Sequence, residues 1–402
     1  MTVYQGGALN ILHTSGMDKL YPIVRIHFRV TGQFDRSRFK RALAACGQVV
    51  PELFCKYVLK DNSFVPVTDD LNGVLFENMD PDQGSASWDL FKEPQMRVYL
   101  NQEDAGTNVT IFLSHILTDG AGAKQLLGLL ARAYNEGSLD GMRNHQDIDW
   151  LNQLIKDHPV TVKKGTDHPT RPLTMPTLAD RDHQQRRTAS LALSQAETAA
   201  LIRASHNEGV TLNDLFMAAF GGAVQRFSAT DHIALACPTD MRKFIPGPPE
   251  LRVANHTSRY NIDVPANPDE PFERAVQAVH QAMAANKRAF QCLASVKTLV
   301  DNYTHYPLAK LQQICEDNYH VRTISYTNFG VVDFQLAGCR ITNFDMLGSY
   351  RRAPMFQAAV STFNDQIIFA FAMVGTDEEA RLGTTVMQIM RDLLNNYALK
   401  FA

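Results

Sequence analysis

At 402 residues the chain is long enough for two or three domains or one large composite one, and 45% hydrophobic against 20% charged residues is a balance that can bury a large core. A net charge of −3 with no long run of Lys or Arg argues against a general polyanion binder, so nucleic acid is not an expected partner. Six scattered cysteines (Cys46, Cys55, Cys237, Cys292, Cys315, Cys339) form no C-x-x-C pair, which fits reduced thiols better than a disulfide framework or a zinc site. Met1 to Thr14 lacks a basic segment followed by an apolar stretch, so no signal peptide is expected. No apolar run approaches the roughly 20 residues needed to cross a bilayer. The expectation is a cytoplasmic protein with no membrane span.

In chain order, Ile23 to Val30 puts Val24, Ile26, Phe28 and Val30 on one face and Arg25, His27 and Arg29 on the other, a half-buried strand. His27 is expected to point to solvent or a polar neighbour. Asp35 can cap a helix whose apolar positions Phe39, Ala42, Leu43 and Cys46 recur at helical spacing. Leu53 to Leu59 and Phe64 to Val67 read as a hairpin, and Gln95 to Leu100 with Asn108 to Leu113 as a second pair. An amphipathic helix follows at Lys124 to Asn135.

From about Gly141 to Ser190 the texture changes: Pro159, Pro169, Pro172 and Pro176 lie among polar residues with little periodicity. Order resumes with Ser194 and Glu197, a capping box, and with Thr211 capping an apolar helix, Leu212 to Phe227. A short strand, Ile233 to Cys237, runs into Pro238-Thr239-Asp240-Met241-Arg242. Asp269 to Phe290 reads as helix, Thr323 to Thr327 as strand, and Gln357 to Phe363 with Gln366 to Val374 as a hairpin through Asn364-Asp365. A last helix spans roughly Asp377 to Ala398. The fold class expected is α+β, with an N-terminal lobe over 1–165, a connector over 166–190 and a C-terminal lobe over 191–402.

Between the second strand pair and its helix stands Ser114-His115-Ile116-Leu117-Thr118-Asp119-Gly120, which reads His-x-x-x-Asp-Gly. Strand, loop, helix is the order that presents a side chain at the rim of a sheet, and histidine is the side chain able to act as a base near neutral pH. Asp119 offers either an orienter for the imidazole or a partner for a distant cation. Gly120 suits an unusual backbone conformation or the close approach of another chain. A structural histidine in a tight turn fits the same spacing. Two metal ligands at His115 and Asp119 would lack a third, so no metal is expected. No G-x-S-x-G elbow and no phosphate loop appears in the chain.

The motif and its surroundings resemble the chloramphenicol-acetyltransferase-like superfamily, which includes nonribosomal condensation domains, plant acyltransferases, polyketide-associated acyltransferases and alcohol acetyltransferases. The resemblance adds Gly32-Gln33-Phe34-Asp35, Trp88-Asp89-Leu90 through Pro94, Met96, Arg97 and Val98, and Val210-Thr211-Leu212-Asn213-Asp214. It continues through Pro238 to Arg242, Ala254-Asn255-His256 and Thr327-Asn328-Phe329-Gly330, in the family's order and over nearly the whole chain. It implies a two-lobed α/β sandwich, a pseudo-dimer with a tunnel between the lobes and His115 at its middle. His115 would deprotonate an alcohol or amine as it attacks the carbonyl of an acyl thioester. Asp119 would pair with Arg242 and hold the loop. The donor would be acyl-CoA, as co-substrate rather than bound cofactor, or an acyl carrier protein, and the acceptor a small-molecule alcohol or amine.

Two departures narrow this. Condensation domains usually carry a second histidine where this chain has Ser114, which favours simple acyl transfer over peptide bond formation. No oxyanion donor can be assigned from sequence: Asn328, Ser325 and Thr327 are candidates, and each could instead satisfy backbone groups in a turn. Of the other histidines, His256 lies beside a matched motif, whereas His13 and His305 read as surface or core residues. A relative that keeps fold and tunnel as a non-catalytic binding or interaction module is the alternative.

Overall fold

The sheet that carries the motif has five strands, in the spatial order Cys339–Leu347, Ile23–Gly32, Gly106–Ser114, Met96–Glu103 and Leu75–Glu77, antiparallel except for the last pair. Residues 2–162, 168–178 and 183–402 are described by the computed structural model. In Ile23–Gly32 the alternation buries Val24, Ile26, Phe28 and Val30 on one face. The polar face is covered in part too. Arg25 is buried and donates through Nη1 to Asp345 Oδ1 at 2.7 Å on the next strand, while His27 Nδ1 sits 3.0 Å from Thr110 Oγ1.

Helices Arg36–Val49 and Gly120–Glu136 pack on this sheet through Phe39, Leu43, Leu126, Leu127 and Leu130, closing one hydrophobic core. The Asp35 carboxylate accepts from the Arg38 N–H at 2.9 Å and so caps the first helix.

A second sheet runs Ile324–Val331, Phe356–Phe363, Gln366–Gly375 and Arg351–Arg352, with Gln185–Ala192 also paired to Gln366–Gly375. The turn at Asn364 and Asp365 has φ of 48° and 59°, the left-handed pair that a tight hairpin requires. Gln366–Gly375 is nearly a continuous apolar run, and Phe356–Phe363 is buried at most positions, because both faces of these strands are covered. Phe356, Ala358, Val360, Phe369 and Phe371 enter a core shared with helices Leu212–Gln225 and Asp377–Phe401. The alternate residues Ala359, Phe363, Ile368, Ala370 and Ala372 enter the first core. One sheet therefore serves both cores. Ser194 and Thr211 cap helices Gln195–Asn207 and Leu212–Gln225, each in a capping box closed by Glu197 and Asp214.

The two halves of the chain exchange segments. Cys339–Leu347 pairs with Ile23–Gly32, and Ala8, Leu9, Ile11 and Leu12 pack into the second core. Part of the expected connector, residues 166, 167 and 179–182, lies outside the described residues, and its last residues begin the strand Gln185–Ala192. Elements absent from the sequence reading include the strand Thr257–Pro265, paired with His232–Asp240, and helices Asp149–Asp157, Ala294–Asn302 and Leu308–Asn318. Among the described residues no helix is long and apolar enough to cross a membrane.

Candidate active site

The strand Gly106–Ser114 ends where Ser114 turns inward. Its Oγ accepts from the Ile116 N–H at 3.2 Å, and its carbonyl accepts from the N–H groups of Leu117 and Thr118. This tight turn is closed by Asp119, whose Oδ1 accepts from the Gly122 N–H at 2.8 Å and caps helix Gly120–Glu136. The glycines allow close packing here. A Cβ on Gly120 would sit 2.5 Å from the Phe329 ring, and one on Gly122 would sit 2.9 Å from the Ala254 carbonyl oxygen. His115 is thereby held with its backbone fixed at both ends, its N–H donating to Pro22 O at 2.7 Å and its carbonyl accepting from Asn255 Nδ2 at 2.9 Å.

Asp119 points away from His115 into a buried network. Its Oδ2 accepts from Arg242 Nη1 at 3.0 Å and from the His256 N–H at 2.7 Å. Arg242 also donates to the carbonyls of Arg252 and Ala254 and to Asp240 Oδ1. Burial opposes the Asp119 charge, yet the Arg242 guanidinium and the Gly122 N–H hold its carboxyl below the usual carboxylate range. Nearly every lone pair and proton of the pair is satisfied, which is the condition under which a buried ion pair is tolerated.

The His115 imidazole lines a cavity of about 210 Å³ to which both halves of the chain contribute, among them Val24, Ala236, Tyr326 and Ser349. Its ring stacks on that of His13, centroids 3.8 Å apart and planes 18° apart. His115 Nδ1 and His13 Nε2 are buried without a hydrogen-bond partner. Burial pulls the His115 pKa below its ordinary 6.5, with Asp119 opposing and Arg351 adding to the pull. His13 is lowered further, by burial and then by the charge on His115. Both rings are neutral at pH 7, as a base requires.

Ser325, Thr327 and Asn328 all line the same cavity on the strand Ile324–Val331. Ser325 Oγ donates to Arg322 O at 3.0 Å, and Asn328 is engaged at both ends, Oδ1 by the Gly330 N–H and Nδ2 on Asn213 Oδ1. The Thr327 hydroxyl makes no such bond among the described residues. Lys124 ties the helix to that strand through the carbonyls of Phe329 and Val331.

His256 is on the far side of Asp119, in the core against the edge of Trp150, and burial pushes its pKa down to about 3. It does not reach the cavity, whereas His13, read from sequence as a surface or core residue, lines it; His305 is exposed. Sequence reasoning also passed over Arg259, Arg322 and Arg351, which share the cavity wall. The adjacent pair Arg351-Arg352 was the only local signal. Among the described residues no group of three or more His, Cys, Asp or Glu side chains is placed to share a metal ion.

The condensation-domain sequence profile matches residues 76–292, more than half of the chain, and the chain belongs to that family. Solved structures agree over nearly the full length. Polyketide synthase associated protein 5 from Mycobacterium tuberculosis superimposes with a TM-score of 0.70 at 14% identity, covering 99% of this chain and 98% of that one. The trichothecene 15-O-acetyltransferase of Fusarium sporotrichioides gives 0.66 at 14% identity, with 97% and 94% covered. The epimerization domain from the third module of tyrocidine synthetase B gives 0.65 at 16% identity, with 99% and 97% covered. At these identities the likeness is one of fold, the chloramphenicol-acetyltransferase-like sandwich. No curated protein matches the sequence significantly.

Proposed function

We propose that the protein is an acyltransferase that moves an acyl group from a thioester to an alcohol or amine, with His115 as general base. The observation that carries this reading is a neutral imidazole on the wall of a cavity to which both halves of the chain contribute, its backbone clamped by Pro22 and Asn255. The acceptor's proton passes to the imidazole as its oxygen or nitrogen bonds to the thioester carbonyl carbon. Collapse of the tetrahedral adduct then breaks the C–S bond, and the leaving sulfur takes the proton from His115, departing as a thiol and restoring the neutral base. Asp119 takes no part in proton transfer, because both its oxygens are already occupied by Arg242, Gly122 and the His256 N–H. Thr327 is favoured over Ser325 and Asn328 as a donor to the developing oxyanion, since its hydroxyl is the one not already engaged.

Acyl-CoA is the donor favoured here, Ser114 standing where a peptide-forming relative has its first histidine; an acyl carrier protein would use the same base. Mass spectrometry after incubation with acyl-CoA or acylated carrier and a panel of alcohols and amines separates the two. A second reading, a binding module without catalysis, draws on one observation: a cavity of about 210 Å³ is small beside the ~300–1,000 Å³ of usual ligand pockets. Thioester consumption no faster than in His115→Ala across the panel would favour that module.

A further inference from the structure

The wall of the cavity that holds His115 carries a cation that the acyl-transfer mechanism does not use. Arg351 is 7% exposed and lines the cavity. Its backbone is locked by pairing to Met373 on one side and to Leu20 on the other. Its side chain makes one hydrogen bond, Nη1 to Arg322 O at 3.2 Å, and Nε is buried with no partner. No carboxylate of the described residues pairs with it. The acids on the cavity wall, Asp119 and Asp240, are both bound to Arg242. Arg259 and Arg322 add positive charge to the same wall while keeping partners of their own: Arg259 donates to His320 O and lies 4.0 Å from the Tyr319 ring, and Arg322 donates to Asn261 Oδ1.

An unpaired guanidinium in such a place is costly, and burial together with the Arg259 charge pulls its pKa down to about 10. Buried charges are kept where something neutralises them, and among the described residues no carboxylate does so for Arg351. Nη2, which unlike Nε is not sealed off by its neighbours, also has no partner among the described residues, and such a guanidinium N–H suits the charge-assisted hydrogen bond that a carboxylate accepts. Arg351 also lies close enough for its charge to be felt at both His13 and His115. A pantetheine phosphate, at the far end of its arm from the sulfur, is poorly placed to reach a residue beside the base.

We propose that Arg351 anchors a carboxylate on the substrate, so that the cavity selects an acceptor or an acyl group bearing a carboxylate close to the reacting centre. This rests on the reading of His115 as the acyl-transfer base only for which group reacts; the anion subsite itself is a property of binding.

The test uses matched pairs that differ in one charge. With acetyl-CoA as donor, lactate is compared with lactamide and serine with serinamide as acceptors. With a neutral alcohol as acceptor, succinyl-CoA is compared with butyryl-CoA. The wild type is expected to prefer the charged member of either the acceptor or the donor set by roughly 10²-fold in kcat/KM, about the worth of one charge-assisted pair. Which set responds identifies the source of the carboxylate. Arg351→Met should abolish the preference and leave the neutral member within a few-fold, and Arg351→Lys should fall between. Equal use of charged and neutral members by the wild type, or equal loss of both in Arg351→Met, overturns the proposal.

Thermal shifts of the wild type, with the acids, the amides and the two thioesters added singly, read binding without chemistry. Stabilisation by the charged members alone, with no transfer detected, upholds the anion subsite and leaves the acyltransferase reading to the broad donor and acceptor panel. No difference between charged and neutral members removes the subsite. These wild-type measurements decide the matter if Arg351→Met does not fold.

Discussion

His115 is useful as a base because of where its environment sets its proton affinity. Burial lowers its pKa below 6.5, so the ring is already neutral through the physiological range. The acid limb of kcat/KM is therefore expected to have its midpoint below about 6.5, with a plateau at neutral pH. A midpoint above that value, in a pH series at low substrate concentration, would count against His115 as the titrating base. His13 adds a second neutral ring against the first, and Arg351 a nearby charge, and neither was legible in the sequence. The reason is physical: residues 13, 115 and 351 meet only after the chain has crossed between the two cores, and no local spacing records that meeting. What could be read was the motif itself, since strand, turn and helix cap are all encoded within a few residues.

At the level of the element, the turn between strand Gly106–Ser114 and helix Gly120–Glu136 is an architectural unit built around Asp119. Asp119→Ala removes the helix cap and leaves Arg242 without its buried partner. Loss of one member of such a pair costs about 3–5 kcal/mol, so a clear drop in the denaturant midpoint is expected. Activity per folded molecule should fall less than in His115→Ala. A variant as stable as the wild type would contradict the structural role. Gly120→Val should behave similarly, because the added side chain meets the Phe329 ring.

The capping box at Ser194 and the cap at Thr211 were readable because each is encoded within four residues. The edge strand Cys339–Leu347 was not. Its pairing shifts between Thr342 and Asp345, and Asn343 adopts a left-handed φ of 50°, which breaks the alternation that marks a strand. His27 met the polar neighbour expected of it, but the burial of Arg25 beside it needed Asp345, 320 residues away.

Over the whole molecule, segment exchange makes the two halves interdependent. The sheet bearing His115 takes its edge strand from residues 339–347, and the second core takes Ala8 to Leu12 from the N-terminus. A fragment of residues 1–165 is therefore expected to lack a cooperative unfolding transition, which circular dichroism would detect; a sharp transition would contradict the exchange. Four histidines with lowered pKa values weaken the fold in acid. His13, His115, His27 and His256 all have pKa values lowered in the fold, the last two to about 3, so the unfolded chain binds more protons below its own value near 6.5. Their contribution to stability is whole above that pH and is lost as pH falls through it towards 3. Urea midpoints at pH 7.5 and pH 5 should differ accordingly, with the lower value at pH 5.

Acyl transfer driven by a single histidine, His115, is the function proposed for this condensation-family fold. It is tested most directly by following thioester consumption and acylated product by mass spectrometry for the wild type and His115→Ala, across acyl-CoA and carrier donors with a broad alcohol and amine panel. A product formed by the wild type and slowed about 10²–10⁴-fold in a folded His115→Ala is the result predicted. Equal rates in the two proteins, or no product from either, would contradict it.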